Sequence, residues 1–186
     1  MTRVPYVDLA AVEGPLGARL RERPPLNVFR VLPHAPAAAA GFLALGQAVL
    51  RDASLPARLR ELVILRVGAL SGAHYEVHQH RKMALAAGVS DAAIEAVLTM
   101  PGTLASWRAA ALSQAECAAL TFTDEVLRNV KAGDTTYAAL AAHFGPQQQI
   151  ELLMTIGFYM LVSRLLENLE VDLEDVEVEN LELRHG

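Results

Sequence analysis

The titratable residues that could carry out chemistry are concentrated in one stretch of the sequence, residues 60–80. Three of the six histidines lie within its last seven residues, and Glu76 lies among them. Glu61 is the one acidic residue of the apolar segment that comes before, and the small residues Ser71-Gly72 separate the two parts. We therefore expect any catalytic site of this chain to lie in this stretch.

Helical spacing divides the histidine-rich segment into two faces. Glu76 and His80 are four residues apart, so their side chains can touch. We predict that this face points inward, whereas His74 and His78, on roughly the opposite face, point to solvent or to another subunit. The neighbours that share the face of Glu76 and His80 are small or apolar: Ala73, Met83, Ala84 and Ala87.

Glu61, Glu76 and His80 form a predicted proton-transfer set. A carboxyl group among apolar neighbours has a raised pKa unless it is paired, and a histidine beside it changes its charge near neutral pH. Such a set can abstract a proton next to a carbonyl, or protonate the enolate that a decarboxylation leaves. Glu61 and His80 are the expected proton donor and acceptor, with Glu76 orienting His80 or polarising the substrate. Tyr75 and Trp107 are the candidate substrate-binding residues.

The same residues also fit purely structural roles. Glu61 could pair with Arg58, three residues before it, and Glu76 with His80 could be an ordinary pair on a helix surface. Histidine and glutamate pairs with metal-ligand spacing also occur in residues 74–80, but they point to different faces, so we predict no metal site. Trp107 could equally be a core residue.

The composition predicts an all-α helical bundle. Of 186 residues, 53% are hydrophobic and only 5% are aromatic, and alanine accounts for much of the apolar share. Apolar residues at helical spacing predict helices at 37–51, 57–70, 74–87 and 147–168, with Ser54 as the cap of the second of these. Residues 61–64 and 151–154 have similar sequences, each a glutamate followed by apolar residues at the start of an apolar helix, which suggests an internal two-fold helical repeat.

Three segments follow from the distribution of proline, glycine and charge. Residues 1–26 contain four prolines and two glycines, which predicts an irregular N-terminal arm. Residues 27–170 form the helical domain, and residues 171–186 form an acidic C-terminal tail. Within the tail, residues 176–179 alternate in a way that permits a short strand, although we favour a solvated extension.

Charge and cysteine content exclude several classes of function. The net charge is −5 without a basic patch, which argues against nucleic acid as a partner. The single cysteine, Cys117, excludes an intramolecular disulfide and any two-cysteine redox centre within the chain, and we predict that it is a core residue. The sequence shows no signal peptide and no uninterrupted apolar run of about 20 residues, so we expect a cytoplasmic protein that does not enter the membrane.

Several segments together resemble the carboxymuconolactone decarboxylase family, which includes the alkyl hydroperoxidase D branch. The resemblance covers residues 27 to about 170 and implies an alkyl hydroperoxidase D-like helical bundle. It also implies protomers that assemble into trimers or hexamers, with a dimer as the remaining possibility. The segments that carry it are Asn27-Val28-Phe29-Arg30, the run from Arg58 to Val67, Gly72-x-x-Tyr75-Glu76-x-x-x-His80, Ala87-Gly88-Val89-Ser90 and Leu120 to Glu125.

The chain departs from the peroxidase pattern of that family. In the hydroperoxidase branch, a glutamate matching Glu61 and a histidine matching His80 assist a Cys-x-x-Cys pair, and the two cysteine positions here are Ala73 and Glu76. A histidine that lies between those cysteines is replaced by Tyr75. Peroxide reduction needs a thiolate and a resolving thiol, so this activity is the least expected.

The decarboxylase branch resembles this chain more closely, with glutamate and histidine at the positions of Glu76 and His80. The resemblance therefore implies a cofactor-free lyase or isomerase that acts on a small carboxylated or lactone-type compound. The alternative is a family member without catalysis that binds a ligand or a partner.

Overall fold

The computed structural model describes residues 2–174 and confirms the predicted all-α class, since the elements of this range are all helical. The possible strand at 176–179 lies outside the described residues. The α-helices of the described chain are α1 (Gly14–Arg21), α2 (Asn27–Val31), α3 (Pro36–Gln47), α4 (Ala57–Ser71), α5 (His74–Ala86), α6 (Asp91–Leu98), α7 (Leu104–Ala109), α8 (Gln114–Asn129), α9 (Asp134–Ala141) and α10 (Pro146–Leu169). Short 3₁₀ helices occur at Leu9–Ala11 and Leu32–His34, and a π-helical turn occurs at Ala48–Asp52.

The helices group into two compact units. Among the described residues, one comprises residues 2–47 and 165–174, and the other comprises Ala48–Arg164. In the first unit the N-terminal arm contains a 3₁₀ helix and α1, so it is more regular than its prolines suggest. Asn27 and Tyr6 tie this part of the chain to residues 172–174 through hydrogen bonds to Asp172 and Glu174.

Helix α4 is the central helix of the second unit, and it packs against α5, α6 and α8. Its middle residues are apolar on every side, and a helix of that kind is stable only when it is surrounded. Leu62, Val63, Ile64 and Leu65 are all fully buried, which confirms the predicted buried helix.

Arg66 fixes the orientation of α4 inside this core. The side chain is fully buried, and Nε and Nη2 donate to the two carboxylate oxygens of Asp124 on α8 at 2.6 and 2.8 Å. Nη1 donates to the carbonyl oxygens of Val97 and Thr99 at 2.8 and 3.0 Å. A buried charge is tolerated only when its donors are satisfied, so this set of bonds holds α4 at one rotation about its axis. Glu61 lies on the same helix and takes its direction from that rotation.

The turn between α4 and α5 brings the two site-bearing helices together. Gly72 ends α4 with a φ of 65°, a left-handed conformation that glycine adopts without steric cost. At Gly68 a Cβ atom would lie 3.0 Å from Cγ2 of Val77, so the helices approach closely because this residue lacks a side chain. The close approach sets Glu61 of α4 opposite the middle of α5.

The predicted capping role of Ser54 is wrong. Helix α4 begins after Pro56 and has no side-chain cap. The backbone N–H and the hydroxyl of Ser54 instead donate to Glu151 Oε2 on α10, at 3.0 and 2.7 Å. Glu151 therefore holds the loop that precedes α4, which is a structural role, while the suggested internal repeat stays a prediction.

We expect Glu151→Ala to lower the free energy of unfolding by about 1 kcal/mol, because it removes the acceptor of two loop hydrogen bonds. The measurement is equilibrium urea denaturation. Glu167→Ala, at an exposed position of the same helix, is the matched control and should change the free energy by less than about 0.5 kcal/mol. Equal values for the two variants would contradict a stabilising role for Glu151.

Helix α10 is the one helix of the described chain that is long and apolar enough to cross a membrane by length and composition alone. Its best window has a mean hydropathy of 1.3, and 44% of that window is buried inside the protein. Core helices of globular proteins pass the same test, so this property is weak evidence for a membrane span.

Candidate active site

Helices α4 and α5 bring Glu61, Glu76 and His80 together. The Nδ1 atom of His80 lies 2.7 Å from Glu61 Oε2, which is a hydrogen bond between the two helices. The Nε2 atom of the same ring lies 3.6 Å from Glu76 Oε2, one helical turn earlier on α5. The imidazole thus has a carboxyl group at each nitrogen, as the sequence pattern predicted for these three residues.

All three residues are buried, with exposed fractions of 1% for Glu61, 5% for Glu76 and 6% for His80. The alternative of a helix-surface pair between Glu76 and His80 is therefore wrong. The alternative pairing of Glu61 with Arg58 is also wrong, because Arg58 Nε donates to Glu116 at 2.7 Å.

The predicted division of α5 into two faces is largely confirmed. Ala73 and Ala84 are buried with the site residues, and His74 is exposed. Met83 is the exception, with 39% of its surface exposed. His78 is half-buried, so its surroundings are less open than predicted.

Tyr159 of α10 is a further residue of this site that the sequence analysis did not identify. Its ring meets the His80 ring edge to face, with 4.9 Å between the centroids, and only 3% of its surface is exposed. The two residues are 79 positions apart in the sequence. No local pattern could pair them, because the contact depends on how α10 packs in the second unit.

The two predicted substrate-binding residues are both buried. Tyr75 lies in the first turn of α5, one residue before Glu76. Trp107 belongs to an apolar cluster with Leu65, and its indole N–H donates to the carbonyl oxygen of Ala96 at 3.2 Å. The guanidinium group of Arg66 lies 5.4 Å from the Trp107 ring centroid. These contacts favour the alternative of a core residue for Trp107.

Burial dominates the electrostatics of Glu76. Desolvation raises the pKa of its carboxyl group from 4.5 to about 7, with the charge of His80 lowering it and that of Glu61 raising it. Glu76 Oε2 is also a buried oxygen that has no hydrogen-bond partner among residues 2–174. An acid of this kind is present in both protonation states near neutral pH.

The neighbours of Glu76 titrate in the same environment. Burial lowers the pKa of His80, but the charge and hydrogen bond of Glu61 and the charge of Glu76 together raise it above its ordinary value. Burial raises the pKa of Tyr159 well above its ordinary value, and the two carboxylates add to that effect. The phenol therefore keeps its proton as a hydrogen-bond donor.

Cys117 is a buried residue of the apolar cluster that contains Trp107, which confirms its predicted core position. Burial raises the pKa of its thiol. A reactive cysteine needs the opposite change, because the thiolate is the nucleophile.

Comparison with solved structures identifies the fold as alkyl hydroperoxidase D-like. The alkylhydroperoxidase AhpD core of a peroxidase-related protein from Ralstonia eutropha JMP134 matches with a TM-score of 0.80 and 21% identity, over 94% of this chain and 93% of that chain. A peroxidase-related protein from Silicibacter sp. TM1040 gives a TM-score of 0.75 and 14% identity, over 95% of each chain. The debrominase Bmp8 in complex with 2,3,4-tribromopyrrole gives 0.71 and 16%, over 98% of this chain and 97% of that chain.

At these levels of identity the solved structures show the fold alone. The model of the carboxymuconolactone decarboxylase family matches residues 36–120, a segment that contains Glu61, Glu76 and His80. This match confirms the sequence resemblance to that family over the segment that carries the three residues. No curated protein matches the sequence.

Proposed function

We propose that this protein is a cofactor-free acid–base enzyme, a lyase or an isomerase, that acts on a small carboxylated or lactone-type compound. The observation that carries the proposal is Glu76, a buried carboxyl group that lies 3.6 Å from His80 Nε2 and has a pKa of about 7. General acids work best when their pKa is near the working pH. The match of residues 36–120 to the carboxymuconolactone decarboxylase family supports the same class of reaction.

The burial of the two glutamates favours a division of roles that differs from the expected one. Glu61 is the more deeply buried and accepts the hydrogen bond from His80 Nδ1, so it holds the ring and stabilises its charged form. Glu76 is less deeply buried than Glu61 and lies 3.6 Å from His80 Nε2, so we assign the proton transfer to this pair.

In a decarboxylation, the bond between the substrate carbon and its carboxylate breaks, and carbon dioxide leaves without the electron pair. The pair remains as an enolate, which the protonated carboxyl group of Glu76 neutralises by giving its proton to the carbon. His80 Nε2–H can then return a proton to Glu76, and solvent restores the proton of His80. The net reaction consumes one proton, and no electron acceptor is needed.

Two other functions fit the site less well. A thiol peroxidase or a thiol-dependent dehalogenation would need a reactive cysteine, and Cys117 is buried with a raised thiol pKa. A ligand-binding protein without catalysis would not need a buried acid whose pKa is shifted toward neutrality, and such shifts are typical of functional sites.

We also propose that the enzyme works in the cytoplasm as a homo-oligomer, as the family resemblance implies. Supporting this, α10 carries exposed apolar side chains at helical spacing on one face, opposite to the face that holds Tyr159. These residues are Ile150, Leu153, Met154 and Leu161.

The proposed activity is tested by incubating the protein with carboxymuconolactone and with a panel of small lactone acids and β-keto acids. We expect release of carbon dioxide, and in D₂O we expect one deuterium on the carbon that lost it, because Glu76 exchanges its proton with solvent. Activity should persist in Cys117→Ala. A protein that leaves every compound unchanged, or that consumes alkyl hydroperoxides with dithiothreitol in a Cys117-dependent way, would contradict the proposal.

A further inference from the structure

Arg60 is a charged residue beside the site that the proposed proton transfer does not involve. It precedes Glu61 on α4, and its Nε donates to Glu61 Oε1 at 3.3 Å. Only 13% of its side chain is exposed. Within residues 2–174 this is the one hydrogen bond of the Arg60 side chain, and neither terminal nitrogen is among the buried atoms that lack a partner. Both terminal nitrogens therefore reach solvent.

The charges around Arg60 are unbalanced when His80 is protonated. The charge of Arg60 lowers the pKa values of His80 and Tyr159, so it acts on the same site. Two cations, Arg60 and His80, then face the Glu61 carboxylate and the Glu76 carboxyl, which is half protonated near pH 7. In the state with protonated His80 and neutral Glu76, the site has one positive charge in excess, which an anionic ligand would neutralise.

The unused donors of Arg60 have the geometry that a carboxylate needs. A guanidinium group presents parallel N–H donors that match the two oxygens of a carboxylate, and such charge-assisted pairs are stronger than neutral hydrogen bonds. Because Nε is taken by Glu61, the terminal pair remains available. A mostly buried arginine that contacts a site residue through Nε and whose terminal donors reach solvent is suited to substrate binding.

We propose that Arg60 binds a carboxylate of the substrate through its terminal nitrogens and so places the reacting carbon beside Glu76 and His80. The inference rests on the proposed function of this site. It also narrows the substrate class. An arginine that neutralised the departing carboxylate would stabilise the ground state and oppose the loss of carbon dioxide. The bound carboxylate is therefore one that the product retains, and the substrate of a decarboxylation carries a second carboxylate.

The test uses two probes that differ by one charge: γ-butyrolactone-γ-carboxylate, a stable lactone acid, and its neutral methyl ester. Binding is followed by NMR on histidine-labelled protein through the imidazole signals of His80, which are assigned with His80→Ala. We expect the acid to shift these signals, and the ester to bind at least tenfold more weakly. Arg60→Gln should weaken binding of the acid at least tenfold and leave binding of the ester unchanged. Arg60→Lys should recover part of the affinity, because it restores the charge without the paired donors.

Arg58→Gln is the matched control, because it removes an arginine two positions earlier on α4 whose partners, Glu116 and Gly88, lie outside the site. It should bind the acid as the wild-type protein does. Equal affinities of Arg60→Gln and the wild-type protein for the acid, or failure of the acid to bind the wild-type protein at millimolar concentration, would overturn the inference. Its failure is separable from that of the proposed function. If Arg60→Gln turns over substrate with an unchanged KM, only the proposed role of Arg60 is contradicted. If the wild-type protein binds the acid in preference to the ester but shows no turnover, only the proposed reaction is contradicted.

Discussion

Glu61→Gln and His80→Ala should each lower kcat/KM by about a hundredfold to ten-thousandfold, the range that a positioned acid–base group contributes. In Glu61→Gln the amide has nearly the shape of the carboxyl group, but it removes the charge that raises the pKa of His80. In His80→Ala the group that returns the proton to Glu76 is lost. The measurement is the initial rate of carbon dioxide release on the substrate found in the decarboxylation screen.

The double variant Glu61→Gln/His80→Ala tests whether Glu61 and His80 act as a unit or independently. If Glu61 acts by holding His80 at 2.7 Å, the combined substitution should cost no more than His80→Ala alone, because residues that act as a unit have non-additive effects. Circular dichroism and the urea midpoint control for loss of the fold. Full activity in both single variants would rule out the proposed mechanism, and additive losses would rule out the positioning role of Glu61.

Two of the catalytic predictions depended only on local geometry, and they could therefore be made from the sequence. Glu76 and His80 are four residues apart on one helix, and the small residues around them indicated that this face is buried. Glu61 and His80 belong to consecutive helices joined at Ser71-Gly72, so their contact required only that the turn be tight. The family resemblance pointed to the same three residues.

Tyr159 and Arg60 could not be assigned in the same way. The position of Tyr159 over His80 is set by the packing of α10, a helix whose apolar residues are too numerous to show which of them faces α5. Arg60 precedes Glu61 in the sequence, but helical spacing alone points its side chain to a different side. The hydrogen bond between Nε and Glu61 Oε1 depends on the conformations of both side chains. The role of Trp107 could not be assigned from the sequence either, because a single tryptophan gives no periodic pattern that distinguishes a core residue from a pocket residue.

The buried carboxyl group of Glu76 lowers the free energy of unfolding at high pH. This effect can be measured without a substrate. The unfolded chain exposes Glu76 to water, whereas the folded protein places it in an apolar environment with a pKa of about 7 instead of 4.5. Below the lower value, both states are protonated and the shift costs nothing. Between the two values the unfolded state ionises while the folded state keeps its proton, so the protein loses stability as the pH rises. Above the higher value the full cost applies, which corresponds to about 3 kcal/mol.

Other charged and titratable groups face Glu76 or share its environment and enter the same balance. His80 has a raised pKa, so it stabilises the folded state below its unfolded value and loses that contribution as the pH rises through the folded value. Glu61 and Arg60 contribute their charges to the pKa of His80. The charge of Glu76 is one of the causes that raise the pKa of His80. Glu76→Gln removes that charge, so the stabilisation by protonated His80 decreases and offsets part of the stability gained by the substitution.

Glu76→Gln should therefore become more stable relative to the wild-type protein as the pH rises, by about 2 kcal/mol between about pH 5 and about pH 8. The quantity to compare is how the difference in free energy of unfolding between Glu76→Gln and the wild-type protein changes with pH. Any pH-independent effect of placing an amide in the site cancels in this comparison. Urea denaturation at each pH measures it, and Glu167→Gln, at an exposed position, should show a difference that does not vary with pH. A pH-independent difference for Glu76→Gln would mean that this carboxyl group is solvated in the folded protein. In that case the site would lack the neutral acid on which the proposed reaction depends.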